Sequence, residues 1–289
     1  MSDNTACVQK MPPTKPHSNA RRSDSNASAP RVGFLITCLV DFFRPSVGFA
    51  SIKLLSNAGC RVEVPEGQTC CGQIAYNNGD IVNARALARQ AITRFAGFDY
   101  IVAPSGSCTN MLKRHYPDLL ADDPEWAPRA RDLSERCFEL TGFLVDRCAI
   151  RQVESSYPGL VTYHDSCVGL RELGVREQPR ILLRSVTALE IREMASSNVC
   201  CGFGGTFCLK YPEISTRMVS DKVSNIHDSG ADTLLGGDLG CLLNIAGRLE
   251  RLESPCKVYH VAEVLAGIDH SPMGNSSTLG HMQKSDRAS

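Results

Sequence analysis

The sequence has no excess charge of either sign, no apolar run long enough to cross a bilayer and no apolar segment near its start. Lysine plus arginine and aspartate plus glutamate number 31 each, which leaves no net field to favour nucleic acid or an anionic membrane surface. The longest apolar runs, such as GFLITCLV at 33–40, are far shorter than a membrane span, and no signal-peptide pattern follows the N-terminus. We therefore expect a soluble, cytoplasmic chain with no nucleic-acid partner and no membrane span.

Cysteine, by contrast, is abundant, with 14 among 289 residues. This density is below that of a short secreted disulfide scaffold, and without a signal peptide disulfides are not expected. A large cytosolic chain with cysteines at patterned spacings is typically a metal or redox protein. The length fits one large domain or two moderate ones, so a sizeable core is possible.

Short β-branched runs alternate with longer helical segments along the chain, which predicts an α/β fold. The polar, serine-rich and asparagine-rich ends predict disordered tails, and Cys7 in the first tail is not a candidate ligand. The predicted units are a tail at 1–30, a first repeat at 31–115, a helical link at 116–158, a second repeat at 159–267 and a tail at 268–289. We expect two similar cysteine-rich repeats, each a small, mostly parallel sheet flanked by helices.

Eight cysteines occur at matching positions in the two repeats. Two vicinal pairs are each followed by glycine, in TCCGQ at 69–73 and VCCGFGG at 199–205. One cysteine precedes each pair by 32 or 33 positions, and another follows it by 37 or 40. The two sets are Cys38, Cys70, Cys71 and Cys108, and Cys167, Cys200, Cys201 and Cys241. This matched spacing predicts an internal duplication.

The patterned cysteines follow predicted strands, so they should meet where open α/β sheets place their sites. Four thiolates at one place repel each other, and a multiply charged soft-metal centre, zinc or iron-sulfur, accounts for them. Structural zinc sites space paired ligands by two to four residues, whereas adjacent thiolates suit the several irons of a cluster. Gly72 and Gly202 permit backbone conformations that bring amides close to cluster sulfide. The vicinal pairs therefore favour iron-sulfur clusters.

The motifs also resemble those of a known family. The spacing C-x31-CCG-x35-C, with PEGQTCCGQ, PSGSC, YHDSC, CCGFGGTF and GGDLGC, is similar to that of the lactate-utilisation protein A family. That family lies within the wider group of CCG-domain proteins, which includes the CCG-containing component of heterodisulfide reductase and the iron-sulfur subunit of glycolate oxidase. The resemblance covers about residues 31–267.

The resemblance implies an iron-sulfur electron-transfer subunit of an oxidoreductase complex that oxidises L-lactate to pyruvate, working with another iron-sulfur protein and a small third subunit. The eight patterned cysteines carry over as ligands, four for a [4Fe-4S] cluster in each repeat. Relatives in the wider group often end the motif in C-x-x-C, whereas Ser105 and Asp238 occupy the first of those positions here. This departure disfavours the non-cubane clusters of heterodisulfide reductases. Val168 stands where the family has histidine.

Two other functions stay open on the residues alone. One is a thiol-disulfide or heterodisulfide reductase subunit, and the other is a zinc-stabilised scaffold or redox sensor without enzymatic activity. No residue is a clear base for a substrate, so we name no catalytic residue. A colourless zinc protein would exclude both iron-sulfur functions.

The remaining cysteines and a few polar residues lie outside the repeat pattern. Buried packing is expected for the cysteines without repeat partners, which are Cys60, Cys137, Cys148 and Cys256. Cys208 is a candidate thiol beside the second site. His164 and Asp165 are candidates for proton transfer or for hydrogen bonds to that site, or else satisfied loop residues. His260 is expected to cap or solvate the start of a helix.

Overall fold

Two sheets of four parallel strands form the framework of the protein, in a computed structural model that describes residues 29–274. The strands of the first sheet are β1 (Arg31–Phe34), β2 (Arg61–Glu63), β3 (Tyr100–Ala103) and β4 (Cys137–Glu139). Those of the second are β5 (Ser156–His164), β6 (Thr187–Ile191), β7 (Thr233–Gly236) and β8 (Lys257–His260). The orders β2-β1-β3-β4 and β6-β5-β7-β8 are equivalent, which confirms the α/β class and the two similar repeats.

Helices connect the strands in both halves. The first half contains α1 (Cys38–Phe43), α2 (Pro45–Asn57), α3 (Gln73–Asn77), α4 (Ile81–Arg94), α5 (Gly106–Asn110), α6 (Tyr116–Leu119), α7 (Trp126–Arg136) and α8 (Leu140–Gly142), with π-helical turns at Met111–His115 and Phe143–Arg147. The second half contains α9 (Cys167–Leu173), α10 (Glu177–Leu183), α11 (Phe207–Lys210), α12 (Pro212–Asp228), α13 (Leu239–Arg251) and α14 (Val261–Leu265). Over the described residues, none of these helices combines the length and apolar character that a membrane crossing requires.

The central strands are short apolar runs buried between helices, as is usual for parallel sheets. In the first sheet, Val32 of β1 pairs with Val62 on one side and Tyr100 on the other. In the second, Val161 of β5 has the same role between β6 and β7. The chain leaves β1 and β5 toward one neighbour and returns on the other side, so each sheet has a switch point beside its second listed strand. Crevices at the carboxyl ends of the strands form at such points.

The helices follow from helical spacing of apolar residues and from local caps. In α4, Ala84, Ala88 and Ile92 are buried at four-residue intervals and face the first sheet. Asp80 precedes this helix, and its carboxylate accepts a hydrogen bond from the Asn83 N–H at 3.2 Å. The caps fix where the helix begins, because they satisfy N–H groups that have no partner within the helix.

The segment 116–158, predicted to be a helical link, contains the fourth strand of the first sheet. Phe138 of β4 pairs with Val102 of β3, and Leu133 of α7 is buried in the same half. A strand of three residues between two helical patterns is too short for alternation to reveal it. The first half therefore has the same fourth strand that β8 supplies to the second half.

The two predicted tails lie mostly outside the described residues, as does Cys7. The exception is the start of the second tail, since 268–274 is described and continues the second half. The Met273 N–H donates to the Val258 carbonyl at 3.0 Å, and the Met273 side chain is buried. Residues 268–274 therefore belong to the packed fold.

The two halves contact each other through reciprocal pairs of helices. Helix α5 packs on α9 while its counterpart α13 packs on α1, and α2 packs on α14 while α8 packs on α10. Such reciprocity is the signature of a twofold relation between similar units. At one of these contacts, Arg44 Nε lies 2.9 Å from Glu263 Oε1, and both side chains are buried. Ser46 Oγ also donates to Glu263, at 2.6 Å.

Candidate metal centres

The four patterned cysteines of the first half lie together at the carboxyl edge of the first sheet. Cys38 opens α1 just after β1, and Cys108 lies in α5 just after β3, so the two flank the switch point. Cys70 and Cys71 lie in the loop between β2 and α3. The Sγ atoms of Cys38 and Cys70 are 4.0 Å apart. The thiol of Cys71 is within hydrogen-bonding reach of both Cys70 and Cys108, so the four sulfurs form one continuous group.

A small cavity of about 70 Å³ borders this first thiol site. All four of its cysteines line the cavity, together with residues of both halves. The second half contributes Phe203 and Gly205 from its CCGFGG loop, and Asp238 from the turn before α13. The first site is therefore partly enclosed by the second half of the chain.

The second half repeats the arrangement. Cys167 opens α9 after β5, Cys241 lies in α13 after β7, and the pair Cys200 and Cys201 lies in the segment between β6 and α11. The thiol of Cys200 interacts with those of Cys167 and Cys201, and Cys201 interacts in turn with Cys241. The structure thus brings the eight cysteines named from the sequence into two groups of four, one in each half.

Each group stabilises negative charge on one sulfur at the expense of its neighbours. Hydrogen bonding from Cys38 and Cys71 lowers the pKa of Cys70, and hydrogen bonding from Cys167 and Cys201 lowers the pKa of Cys200. The same hydrogen bond to Cys70, together with burial, raises the pKa of Cys38. Without a cation, each group therefore favours one thiolate held by neighbouring thiols. Full ionisation of four sulfurs requires positive charge in their midst.

Glycine is required directly after each vicinal pair. Gly72 and Gly202 have φ values of +85° and +84°, in the left-handed region that favours glycine. The Gly202 N–H donates to Cys200 Sγ at 3.4 Å, so the turn aims a backbone amide at a site sulfur. A Cβ on Gly202 would also lie 2.8 Å from the Ser215 carbonyl oxygen. The predicted role of these glycines in shaping the turn is confirmed.

The carbonyl of the second cysteine in each pair is held by a side chain from elsewhere in its half. Tyr116 Oη donates to the Cys71 carbonyl at 2.8 Å, and Asn244 Nδ2 donates to the Cys201 carbonyl at 2.9 Å. Sequence analysis missed both residues, because they differ in type and lie at different places in the two repeats. Their shared role is visible only from the contacts.

His164 adds a nitrogen donor to the second site. Its imidazole nitrogen and the Sγ atoms of Cys201 and Cys241 all lie within 4.8 Å of one another. The ring is buried, burial lowers its pKa to about 4, and neither nitrogen has a hydrogen-bond partner among the described residues. Asp165, the other candidate from the sequence, is instead held in a buried bidentate pair with Arg180, at 2.8 and 2.9 Å.

The two positions where wider relatives carry an additional cysteine contact each other across the halves. Ser105 Oγ donates to Asp238 Oδ2 at 3.1 Å, and the Ser107 N–H donates to the same oxygen at 3.0 Å. Ser105 and Asp238 are both buried. The absent cysteines are thus replaced by a hydrogen-bonded pair between the halves.

The cysteines outside the pattern take other places. Cys60 and Cys137 are buried, as predicted, whereas Cys148 and Cys256 are only partly buried. Cys208 Sγ donates to the Gly205 carbonyl at 3.6 Å, within the loop that follows the second pair. Every cysteine of residues 29–274 is a free thiol. His260 caps α14, as predicted, since its ring accepts a hydrogen bond from the Ala262 N–H at 3.2 Å.

The donor chemistry of both sites fits a soft-metal centre. Groups of thiols suit zinc and iron-sulfur clusters alike, and an imidazole is compatible with either. The two unpartnered nitrogens of His164 are buried polar atoms for which a bound group would supply a partner. The residues present therefore fit a metal or cluster in each half.

The fold and the paired thiol sites define a protein built from two cysteine-rich domains, and the CCG cysteine-rich domain model matches residues 32–113 and 161–246. The chain is 48% identical over 235 residues to lactate utilization protein A 2 of Bacillus mycoides (strain KBAB4), an alignment that covers 81% of this chain and 98% of that protein. With the same coverage, it is 47% identical to lactate utilization protein A of Bacillus cereus (strain B4264). The chain belongs to the lactate utilization protein A family.

Among solved structures, a similar fold occurs in a hypothetical protein from Helicobacter pylori. The two structures match with a TM-score of 0.55 at 10% sequence identity. The match covers 84% of this chain and spans 52% of the length of that chain. At this identity the similarity concerns the fold alone.

Proposed function

We propose that this chain is the cytoplasmic iron-sulfur electron-transfer subunit of a complex that oxidises L-lactate to pyruvate, with one [4Fe-4S] cluster in each half. The observation that carries the proposal is the convergence of four thiols at the carboxyl edge of each sheet. The proposed ligands are Cys38, Cys70, Cys71 and Cys108 for the first cluster, and Cys167, Cys200, Cys201 and Cys241 for the second. The names of the relatives, which refer to lactate utilization, supply the metabolic context.

A bound cluster would supply one-electron oxidation and reduction at each site. The protein's part is to hold the thiolates, to limit water and to aim dipoles at sulfur. Cys71 and Cys201 are buried, which keeps solvent from the inner side of each site. The Gly202 N–H already points at Cys200 Sγ, and hydrogen bonds to sulfur are one of the factors that set a cluster's potential.

We assign lactate oxidation itself to partner subunits, a second iron-sulfur protein and a small third subunit. Lactate is an anion, and its carboxylate is usually bound by arginine or lysine. Among the described residues, those that line the cavity at the first site include neither. The proposal predicts that an affinity-tagged chain, purified from its own host, carries two further subunits with it.

Cluster binding is tested by anaerobic reconstitution of the full chain with iron and sulfide. Wild type should bind about four irons per half, absorb broadly in the visible and give an EPR signal on reduction. Cys71→Ser and Cys201→Ser should each lose about half of the iron, because each removes a ligand from one site. Cys256→Ser is the matched control, since Cys256 lies outside both groups. Unchanged iron and spectra in both site variants would contradict the ligand assignment.

The metabolic part is tested in a host strain that lacks the gene. Such a strain should fail to grow on L-lactate and should grow normally on pyruvate, which lies after the proposed step. Wild type and Cys256→Ser should restore growth on L-lactate, while Cys71→Ser and Cys201→Ser should not. Equal growth of the deletion strain on both carbon sources would contradict a role in L-lactate oxidation.

A zinc-binding scaffold or sensor is the second candidate, and one observation favours it. His164 with Cys201 and Cys241 forms a compact buried nitrogen and sulfur group of the kind that holds a single zinc ion. A colourless protein with bound zinc and no sulfide would support this function. A reductase with a non-cubane cluster is disfavoured, because Ser105 and Asp238 offer no additional thiol.

A further inference from the structure

The two thiol sites differ at the position three residues before the first cysteine. His164 precedes Cys167 by three residues, and Leu35 holds the same place before Cys38. Both side chains are buried, but Leu35 packs in an apolar cluster with Cys71, whereas His164 brings two unpartnered nitrogens to Cys201. A neutral imidazole has one N–H to donate, and leucine has none.

A second difference lies in the helix that follows each vicinal pair. A Cβ on Gly72 would contact Leu87 of α4, and one on Gly202 would contact Met218 of α12, so these two helix positions correspond. Four residues further along, one full turn, α4 has Ala91 and α12 has Lys222. The second site therefore has a lysine where the first has an alanine.

Lys222 is buried directly behind the second vicinal pair. Its Nζ donates to the carbonyls of Ser196 and Ser197, at 2.5 and 3.3 Å, in the segment that leads to Cys200. The side chain is 1% exposed, so its charge is poorly screened by water. Cys200 and Cys201 are among the groups that interact with this charge electrostatically.

The nearby acids do not cancel this difference between the sites. Asp165, next to His164, is paired with Arg180 through both carboxylate oxygens. Asp238 lines the cavity at the first site and also acts on Cys241 of the second, so its negative charge lies between the two. The polar and positive groups that distinguish the sites are therefore His164 and Lys222.

We propose that His164, with Lys222 behind it, stabilises the reduced form of the second cluster by hydrogen bonding and charge, so that the second centre has the higher reduction potential. The inference rests on the proposed cluster binding. Reduction adds one negative charge to a cluster, and hydrogen-bond donors or positive charge beside its sulfurs favour that added charge. Leu35 and Ala91 give the first centre no such support. A chain that carries a single electron would hold it mainly in the second half.

The test is an EPR-monitored redox titration of the reconstituted full chain, with dithionite as reductant. Wild type should show two one-electron steps. Cys201→Ser should lose the upper step and Cys71→Ser the lower one. Loss of the lower step in Cys201→Ser would reverse the order and overturn the inference. A wild-type chain without iron and sulfide would instead overturn the proposed function, so the two failures are distinguishable.

The role of His164 is tested in the same titration. His164→Leu, which copies the first half, should lower the upper step by at least tenfold in the ratio of reduced to oxidised centres, about 59 mV for one electron. His164→Gln retains an N–H donor and should fall between wild type and His164→Leu. The exposed His227→Leu is the matched control and should leave both steps unchanged.

Iron and sulfide content must stay at the wild-type level for the comparison to hold. With full iron, an unshifted upper step in His164→Leu overturns the inference. If this variant does not retain the second cluster, Lys222→Met provides the test, because it removes the charge and keeps the chain length. A lowered upper step in Lys222→Met supports the inference, and an unchanged one overturns it.

Discussion

Removing the positive charge of Arg44 tests how the two halves are held together. Arg44 Nε and Nη2 lie 2.9 and 3.4 Å from the two carboxylate oxygens of Glu263, in the buried contact between α2 and α14. Arg44→Met retains an apolar stem but leaves a buried carboxylate without its cation, which typically costs about 3–5 kcal/mol. Glu263 keeps hydrogen bonds from Ser46 Oγ and the His260 N–H, so we expect the lower end, about 3 kcal/mol.

The assay is thermal unfolding of the full chain, followed by circular dichroism without oxygen and at equal iron content. A loss of about 3 kcal/mol should lower the midpoint by roughly 6 °C or more. Arg217→Met is the matched control, because Arg217 and Asp221 form a pair whose side chains are 82% and 62% exposed. Such exposed pairs contribute less than about 1 kcal/mol. A midpoint for Arg44→Met equal to that of the control would refute the reasoning.

A double variant separates the lost attraction from the stranded charge. Adding Glu263→Gln to Arg44→Met removes the uncompensated negative charge while keeping a side chain that can accept from Ser46. The double variant should therefore be more stable than Arg44→Met alone. If it is less stable, hydrogen bonds to the carboxylate outweigh its charge, and the electrostatic explanation is wrong.

Three further predictions concern single residues. Asp238→Ala should speed hydrogen exchange of the Ser107 amide and cost about 2 kcal/mol in unfolding free energy, since it removes an ionic acceptor from two buried donors. Burial raises the pKa of Glu139 to about 7 from an ordinary 4.5, so the folded state binds more protons between these values and its stability should fall as pH rises through them. Glu139→Gln should remove that fall, about 3 kcal/mol, from unfolding midpoints measured between pH 5 and 8. Gly202→Ala should be destabilised more than Gly72→Ala in thermal unfolding, because both strain a positive φ but the added Cβ lies 2.8 Å from a backbone oxygen only at Gly202, against 3.4 Å from a side-chain carbon at Gly72.

Much of the fold and of the site could be predicted, because the relevant signals are local and repeated. Buried parallel strands are short apolar runs, helices carry spaced apolar residues, and the cysteines recur at nearly equal spacings in both halves. Parallel strands bring their carboxyl ends to one edge, so cysteines that follow successive strands meet there. This rule places Cys38 beside Cys70 without any knowledge of side-chain contacts.

What could not be predicted depends on contacts between distant parts of the chain. Strand β4 is recognisable only by its pairing with β3, because three residues carry no clear period. Arg44 and Glu263 are 219 positions apart, and Ser105 and Asp238 are 133 apart, so neither pair has a local signature. His164 was a candidate, but its approach to Cys201 and the loss of Asp165 to Arg180 required side-chain positions.

The contact between Ser105 and Asp238 has a consequence for how such a protein can arise. The two residues hold equivalent places, each three before the last cysteine of its set, and they meet where the twofold relation places a position against its own counterpart. In a dimer of identical subunits, that contact would join serine to serine or one buried carboxylate to another, and two such carboxylates repel. Covalent fusion of the halves removes this constraint. Each copy is then free to diverge at the seam, and a hydroxyl donor can face a carboxylate acceptor.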